Sequence, residues 1–173
     1  LYVGNDHGVY ISLDQGKTWE PFNKGLTSAA VHDVVIQTDE QHLLVGTHGR
    51  SIYLADIKKI QDLSDEILES SLYIYPLNDI KKSDSWGVQR SIWSQAYTPK
   101  LNITLFSSLS TNYNISINDS NGNNVYKSEG KLDKGFNFIN YDLMDNNEYL
   151  DKGLYKVLII TDNDNLEKEF QIQ

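Results

Sequence analysis

One stretch of this chain occurs twice. Leu1-Tyr2-Val3-Gly4-Asn5-Asp6-His7-Gly8-Val9-Tyr10-Ile11-Ser12 returns as Leu44-Val45-Gly46-Thr47-His48-Gly49-Arg50-Ser51-Ile52-Tyr53-Leu54. Each copy is a short apolar strand, a turn carrying His-Gly, and a second short strand of aromatic and β-branched residues. From Gly4 to Gly46 the shift is 42 residues, and a period of about 40–45 residues is that of a four-stranded propeller blade. Such a repeat constrains the fold because one unit cannot bury its own apolar face and must stack on a neighbour.

The remaining strand signals fit that period. Leu1–Gly4, Gly8–Ser12 and Thr18–Phe22 read as three strands of one blade. Val31–Gln37 opens the next, followed by Leu43–Gly46 and Ser51–Ala55. Asn-Asp, Asp-Gln-Gly and Asn-Lys-Gly (residues 23–25) supply the turn formers between them. After Asp56 the spacing of Ile57, Ile60, Leu63, Ile67 and Leu68 becomes helical, with Asp56 and Ser64 placed to cap two short helices. Leu72-Tyr73-Ile74-Tyr75 reads as a strand returning to the blades, ended by Pro76, and the polar stretch 78–85 as a linker.

From about Trp86 the chain is β again without the blade period. Tyr113–Ile117 and Asn124–Lys127 flank Asp119-Ser120-Asn121-Gly122-Asn123, a hairpin signal. Leu154–Thr161 and Glu167–Ile172 flank a second turn, Asp162-Asn163-Asp164-Asn165. Some 90 residues in short strands suit an immunoglobulin-like sandwich. The expected fold is therefore all-β: residues 1–79 as propeller blades with a short helical connection, and residues 86–173 as an Ig-like β-sandwich.

Composition narrows the function. Net charge is −9, from 15 basic and 24 acidic residues, which disfavours an electrostatic grip on nucleic acid or an anionic membrane. No apolar run approaches the roughly 20 residues of a membrane-spanning helix. The absence of cysteine removes disulfides and thiolate metal sites. The chain opens mid-strand, with no initiator Met and no signal peptide, and reads as a C-terminal fragment whose targeting segment lies upstream.

Between the first repeat copy and the second lies Ser12-Leu13-Asp14-Gln15-Gly16-Lys17-Thr18-Trp19, which is Ser-x-Asp-x-Gly-x-Thr-Trp. A short carboxylate such as Asp14 can accept backbone N–H bonds from a turn closing around it. Gly16 supplies a positive φ, Thr18 returns a hydroxyl bond, and Trp19 offers a large apolar face to pack between sheets. This run resembles the Asp-box, or bacterial neuraminidase repeat, with all five defining positions present: Ser12, Asp14, Gly16, Thr18 and Trp19. Residues 1–76 look like the last blades of bacterial sortilin-like or glycosyl-hydrolase-type Asp-box proteins. The family shows Leu-Asp-Asp after the last of these strands, and this chain keeps one acid of the pair in Leu54-Ala55-Asp56. Residues 115–135 with Lys152-Gly153-Leu154-Tyr155 resemble the Ig-like modules that end such proteins. The resemblance implies a structural Asp14 on the propeller face away from any active site, and a secreted or envelope location.

Strands of a blade alternate in direction, so the turn joining its first two visible strands lies opposite the Asp-box. That places Asp6, His7, His48 and Arg50 together on the face where propellers bind ligands. Arg50 offers a planar fork for a carboxylate or phosphate, and the histidines can donate hydrogen bonds. The bland alternative has Arg50 and His48 bonding loop carbonyls. His32 and His42 lack metal-ligand spacing with the other two. Asp162-Asn163-Asp164 lacks the glycine and terminal glutamate of a calcium loop and reads as a turn. The sequons at Asn102, Asn114 and Asn118 carry no weight in a protein that looks bacterial. Trp86, Trp93 and Tyr97 suggest interdomain packing or, alternatively, a sugar platform.

Two functions follow. One is a non-catalytic part that binds a glycan or peptide, or scaffolds, beside the rest of the propeller upstream. The other is part of a sialidase-like glycoside hydrolase with its catalytic residues upstream. A glycosidase needs two carboxylates about 5–9.5 Å apart, and Asp6 and Asp33 are merely the acids nearest the ligand face. No cofactor and no metal site is expected, and no catalytic residue can be named in this stretch.

Overall fold

The computed structural model describes residues 1–22, 25–26 and 29–173. Asn23 and Lys24 of the expected Asn-Lys-Gly turn lie outside the described residues. The chain is all-β and divides into two compact units, Leu1–Leu63 and Ser64–Gln173.

Among the described residues the first unit holds two three-stranded antiparallel sheets. Strands β1 (Tyr2–Asn5), β2 (Gly8–Ile11) and β3 (Glu20–Pro21) form one; β4 (Val31–Gln37), β5 (His42–Thr47) and β6 (Ile52–Asp56) form the other. The third strand is two residues long rather than Thr18–Phe22, because the backbone of 12–19 is committed to the Asp14 turn. Directly paired residues share a sheet face, and the pairings show the repeat in three dimensions. Tyr2–Ile11, Val3–Tyr10 and Gly4–Val9 in the first sheet correspond to Leu44–Leu54, Val45–Tyr53 and Gly46–Ile52 in the second.

The two sheets pack face to face around Val9, Leu43, Val45 and Ile57, with Tyr2, Val31, Val34 and Tyr53 at the margin. Gly4 is where they come closest. A Cβ built there would stand 2.3 Å from Val31 Cγ1 and 3.0 Å from Val34 Cγ2, so only glycine admits this approach. Val31 and Val34 reach the same face because the ladder slips between Val31 and Asp33, leaving His32 as a bulge.

Helix α1 (Lys58–Gln61) follows, with Ile57 rather than Asp56 as its N-cap. Asp56 lies one residue too early to cap, although its Oδ1 accepts the Lys58 N–H at 2.9 Å. In α2 (Asp65–Glu69) Ser64 is the N-cap, its Oγ accepting the Ile67 N–H, as the capping rule predicts.

The second unit is a sandwich. Strand β7 (Leu72–Ile74) joins β8 (Leu101–Ser107) and β11 (Gly135–Tyr141) in one sheet. Strands β9 (Thr111–Asn118), β10 (Asn124–Leu132), β14 (Gly153–Thr161) and β15 (Asn165–Ile172) make the other, with the small β12 (Met144–Asp145) and β13 (Glu148–Tyr149) apart. Seven strands divided three and four around one core is the immunoglobulin-like arrangement. Ile103, Leu105, Ile117, Val157, Ile159 and Phe170 from the two inner faces fill it. At the start of β14 the Tyr155 hydroxyl donates to the Asp151 carbonyl at 2.9 Å, the tyrosine-corner contact of such sandwiches.

Two expectations are corrected here. Leu72–Tyr75 does not return to the first unit's sheets: Leu72, Tyr73 and Ile74 pair with Ser107, Phe106 and Leu105. A three-residue apolar strand carries no mark of the sheet it joins, and burial of Leu72 and Ile74 in the sandwich core decides it. Nor is the stretch 78–85 a free linker. Ile80 bridges Ile172 in parallel, and the Asp79 carboxylate accepts from the Gln171 N–H and the Gln173 amide. The division of the chain accordingly falls between Leu63 and Ser64.

Both expected hairpins form. Asp119 Oδ1 accepts the N–H groups of Asn121 and Asn123 at 2.9 and 2.8 Å, closing the β9–β10 turn as an Asx side chain does. In the β14–β15 turn the Thr161 N–H donates to the Asp164 carbonyl. Asp164 Oδ1 takes the Ser71 hydroxyl.

Candidate functional site

The Asp14 turn is a closed hydrogen-bond cage. Thr18 donates its N–H to Asp14 Oδ1 at 2.9 Å and its hydroxyl to Oδ2 at 2.6 Å. The Ser12 hydroxyl donates to Oδ1 at 2.9 Å and accepts the Gly16 N–H at 2.7 Å. Gln15 and Gly16 take φ of 63° and 91°, so the turn needs its glycine. Donation by Thr18, hydroxyl first and backbone second, lowers the Asp14 pKa from 3.8 to about 2. Both carboxylate oxygens are thus occupied within the turn, which leaves Asp14 suited to holding backbone rather than meeting a substrate.

Trp19 departs from expectation. Its indole N–H turns back to the Gly16 carbonyl at 3.2 Å, and the ring is exposed rather than packed between the two sheets. The side chain caps its own turn.

At the opposite end of the first sheet lies the β1–β2 turn. The Asn5 side chain accepts the His7 N–H at 2.7 Å, an Asx turn that leaves the Asp6 and His7 side chains exposed. The β5–β6 turn is closed by Thr47, whose hydroxyl donates to the Ser51 carbonyl at 2.6 Å and accepts the Ser51 N–H at 2.9 Å. These two turns share one end of the paired sheets: Gly4 packs on Val31, and Val31 pairs with Thr47. His48 and Arg50 lie in the second of them, both exposed.

Arg50 is not consumed by loop carbonyls. Its guanidinium makes no hydrogen bond or ion pair among the described residues, since Thr47 and Ser51 already close the turn. His48 donates its backbone N–H to the Ala30 carbonyl at 2.8 Å. Its ring lies 4.9 Å from that of His32. Sequence spacing relates His32 to His48 by no ligand pattern; the bulge after Val31 brings it there. A slipped register has no local signature. The end thus collects three of the four histidines and one of the two arginines of a chain with net charge −9. Asp33 is exposed on β4 beside this end. Among the described residues no three His, Asp or Glu side chains gather where they could hold a metal ion.

The aromatic trio separates. Trp86 is buried in the sandwich core, its ring 5.7 Å from that of Tyr149, which corrects both roles considered for it. Its backbone bridges Tyr97, which is exposed, and Trp93 is 91% exposed. No shared stacking platform exists. No helix among the described residues is long and apolar enough to cross a membrane.

No family model matches the chain, and no curated protein matches it. Among solved structures it is similar to dimeric latent PorU from Porphyromonas gingivalis, at 11% identity and a TM-score of 0.36. That similarity covers 76% of this chain and 12% of PorU. The chain thus spans about an eighth of the length of the protein it matches.

Proposed function

We propose that residues 1–56 are two consecutive blades of an Asp-box β-propeller belonging to a secreted or envelope-associated protein. In this reading the chain is a non-catalytic part, the remaining blades come from elsewhere in the protein, and the Ig-like sandwich is a spacer. The turn end carrying His7, His48 and Arg50 serves as a binding surface for an acidic glycan or peptide. One observation carries the reading: Arg50, whose guanidinium has no partner among the described residues, shares an exposed turn with His48, whose ring lies by that of His32, on the end opposite the self-satisfied Asp14 turn. A planar donor fork in solvent matches a carboxylate in bidentate fashion.

The Asp-box positions Ser12, Asp14, Gly16, Thr18 and Trp19 act as a structural brace. No observation among the described residues favours the hydrolytic alternative, which needs two carboxylates about 5–9.5 Å apart across a cleft. The binding reading is tested by following backbone amide shifts of the full chain during titration with a glucuronate-containing oligosaccharide and with a polyglutamate peptide. Shifts centred on residues 5–8 and 47–51, lost in Arg50→Ala, support it. Shifts confined to the sandwich, or none with either probe, overturn it.

A further inference from the structure

The sandwich carries a loop, residues 87–97, that is anchored at its stem and apolar at its tip. At the stem Trp86 is buried in the core, its ring 5.7 Å from that of Tyr149, and its backbone bridges Tyr97. Gly87 donates its N–H to the Tyr97 carbonyl at 2.8 Å, so the chain leaves and returns at one point. Gly87 takes a φ of 74°, and a Cβ there would stand 2.9 Å from Tyr149 Cε2. The stem therefore depends on glycine.

The tip is a closed turn. Ser94 donates its N–H to the Ser91 carbonyl at 3.1 Å, and its Oγ accepts the Ser91 N–H at 3.0 Å. The two central residues are Ile92 and Trp93, at positions where Gly, Asn, Asp and Pro are the usual choices. Ile92 is 83% and Trp93 91% exposed. The turn closes without either side chain, and leaving both in water forgoes the stabilisation that burial gives.

Polarity is ordered along the loop. Ile92 and Trp93 form the apex, Ser91 and Ser94 flank it, Arg90 and Gln95 come next, and Tyr97 stands at the stem, exposed. Residues 85–100 include no Asp or Glu, in a chain that has 24. Arg90, one of its two arginines, makes no hydrogen bond or ion pair among the described residues. A phospholipid interface has the matching order: apolar side chains enter the acyl boundary, a cation meets the phosphate, and Trp and Tyr are favoured at headgroup level. Carboxylates near the apex would be repelled by that phosphate. A convex tip also enters a fluid surface without a preformed cavity to receive it.

We propose that this loop seats the sandwich on a zwitterionic phospholipid surface, Ile92 and Trp93 entering the acyl boundary and Arg90 pairing with lipid phosphate. Two inserted side chains give a reversible attachment. The net charge of −9 opposes an anionic layer, so insertion rather than overall charge carries the affinity.

The test is co-sedimentation of the full chain with phosphatidylcholine vesicles, read beside tryptophan emission. Wild type moves into the pellet as lipid rises, its emission shifts to shorter wavelength, and phosphatidylcholine brominated in its acyl chains quenches it. Ile92→Asp keeps the Trp93 reporter, abolishes the shift and lowers partitioning at least about tenfold. Trp93→Ala also lowers partitioning, and Arg90→Gln does so by a smaller factor. Leu109→Asp, at an apolar position 60% exposed on another loop, leaves it unchanged. Should Ile92→Asp lose its fold, Trp93→Ala carries the comparison. Absence of pelleting at every lipid concentration overturns the inference. So does partitioning that persists in the two tip variants, or that falls equally in Leu109→Asp.

Discussion

Ile159 in the sandwich and Ile52 in the first unit are both β-branched residues within antiparallel strands. One is fully buried and the other 74% exposed. The difference runs through the two units. In the second, seventeen buried side chains, fourteen of them on the strands of the two sheets, form one closed core, and the tyrosine corner ties the entry of β14 to the preceding loop. In the first, four buried side chains hold the sheets together among the described residues, and each sheet keeps exposed apolar side chains on its outward face. Apolar area removed from water is the main source of stability. In the proposed reading the second unit is complete as a folding unit, while the first is a segment of a stack whose stability grows with its neighbours.

The largest expected effect comes from cutting the second unit where the sequence suggested its start. A fragment of residues 86–173 lacks β7 and the buried Leu72 and Ile74; residues 64–173 keep both. The shorter fragment is expected to show no cooperative thermal transition, and the longer one a sharp transition, by circular dichroism. Equal transitions would remove β7 from the sandwich. Next in size is Ile103→Ala, which empties a fully buried site and should cost about 2–5 kcal/mol in denaturant unfolding. That loss should appear in the second unit's amide exchange and not in the first's.

The Asp14 turn sharpens the comparison through pH. Its folded pKa of about 2 lies below the ordinary 3.8, so the ionised carboxylate stabilises the fold above about pH 4. That contribution is lost as pH falls through about 2. Asp14→Asn should lower the first unit's melting temperature at neutral pH and flatten its pH dependence between 4 and 2. An unchanged profile would mean that the cage does not brace the sheet. The smallest effect is expected for Trp93→Ala: with the ring 91% exposed, stability should stay within about 0.5 kcal/mol of wild type.

Much of this architecture was legible in the chain. The Gly4/Gly46 period located both sheets, because equal strand spacing survives into equal pairings. Asp119 and Ser64 announced a turn and a cap, since their bonds are made within a few residues. Long-range choices were hidden. Leu72-Tyr73-Ile74 reads as a strand wherever it pairs, and only burial beside Leu105 and Phe106 assigns it. His32 reached His48 through a bulge that alternation cannot reveal. Trp19 bonded its own turn, an option open to any Trp three residues after a free carbonyl. Of the proposed binding end, the shared position of the two turns followed from antiparallel order, whereas the solvent-facing Arg50 depended on Thr47 and Ser51 closing the turn without it.

The central claim is that the first unit is one structural unit used twice, with one copy's inner face loaded and the other's empty. Thermal unfolding of Gly4→Val beside Gly46→Val tests it most directly, because the two glycines are the same position of the repeat. Gly4→Val should lose at least about 1–3 kcal/mol through the clash with Val31. Gly46→Val, at a non-positive φ and without such a neighbour, should match wild type or gain slightly. Equal losses at both positions, or a greater loss at Gly46, would contradict the account.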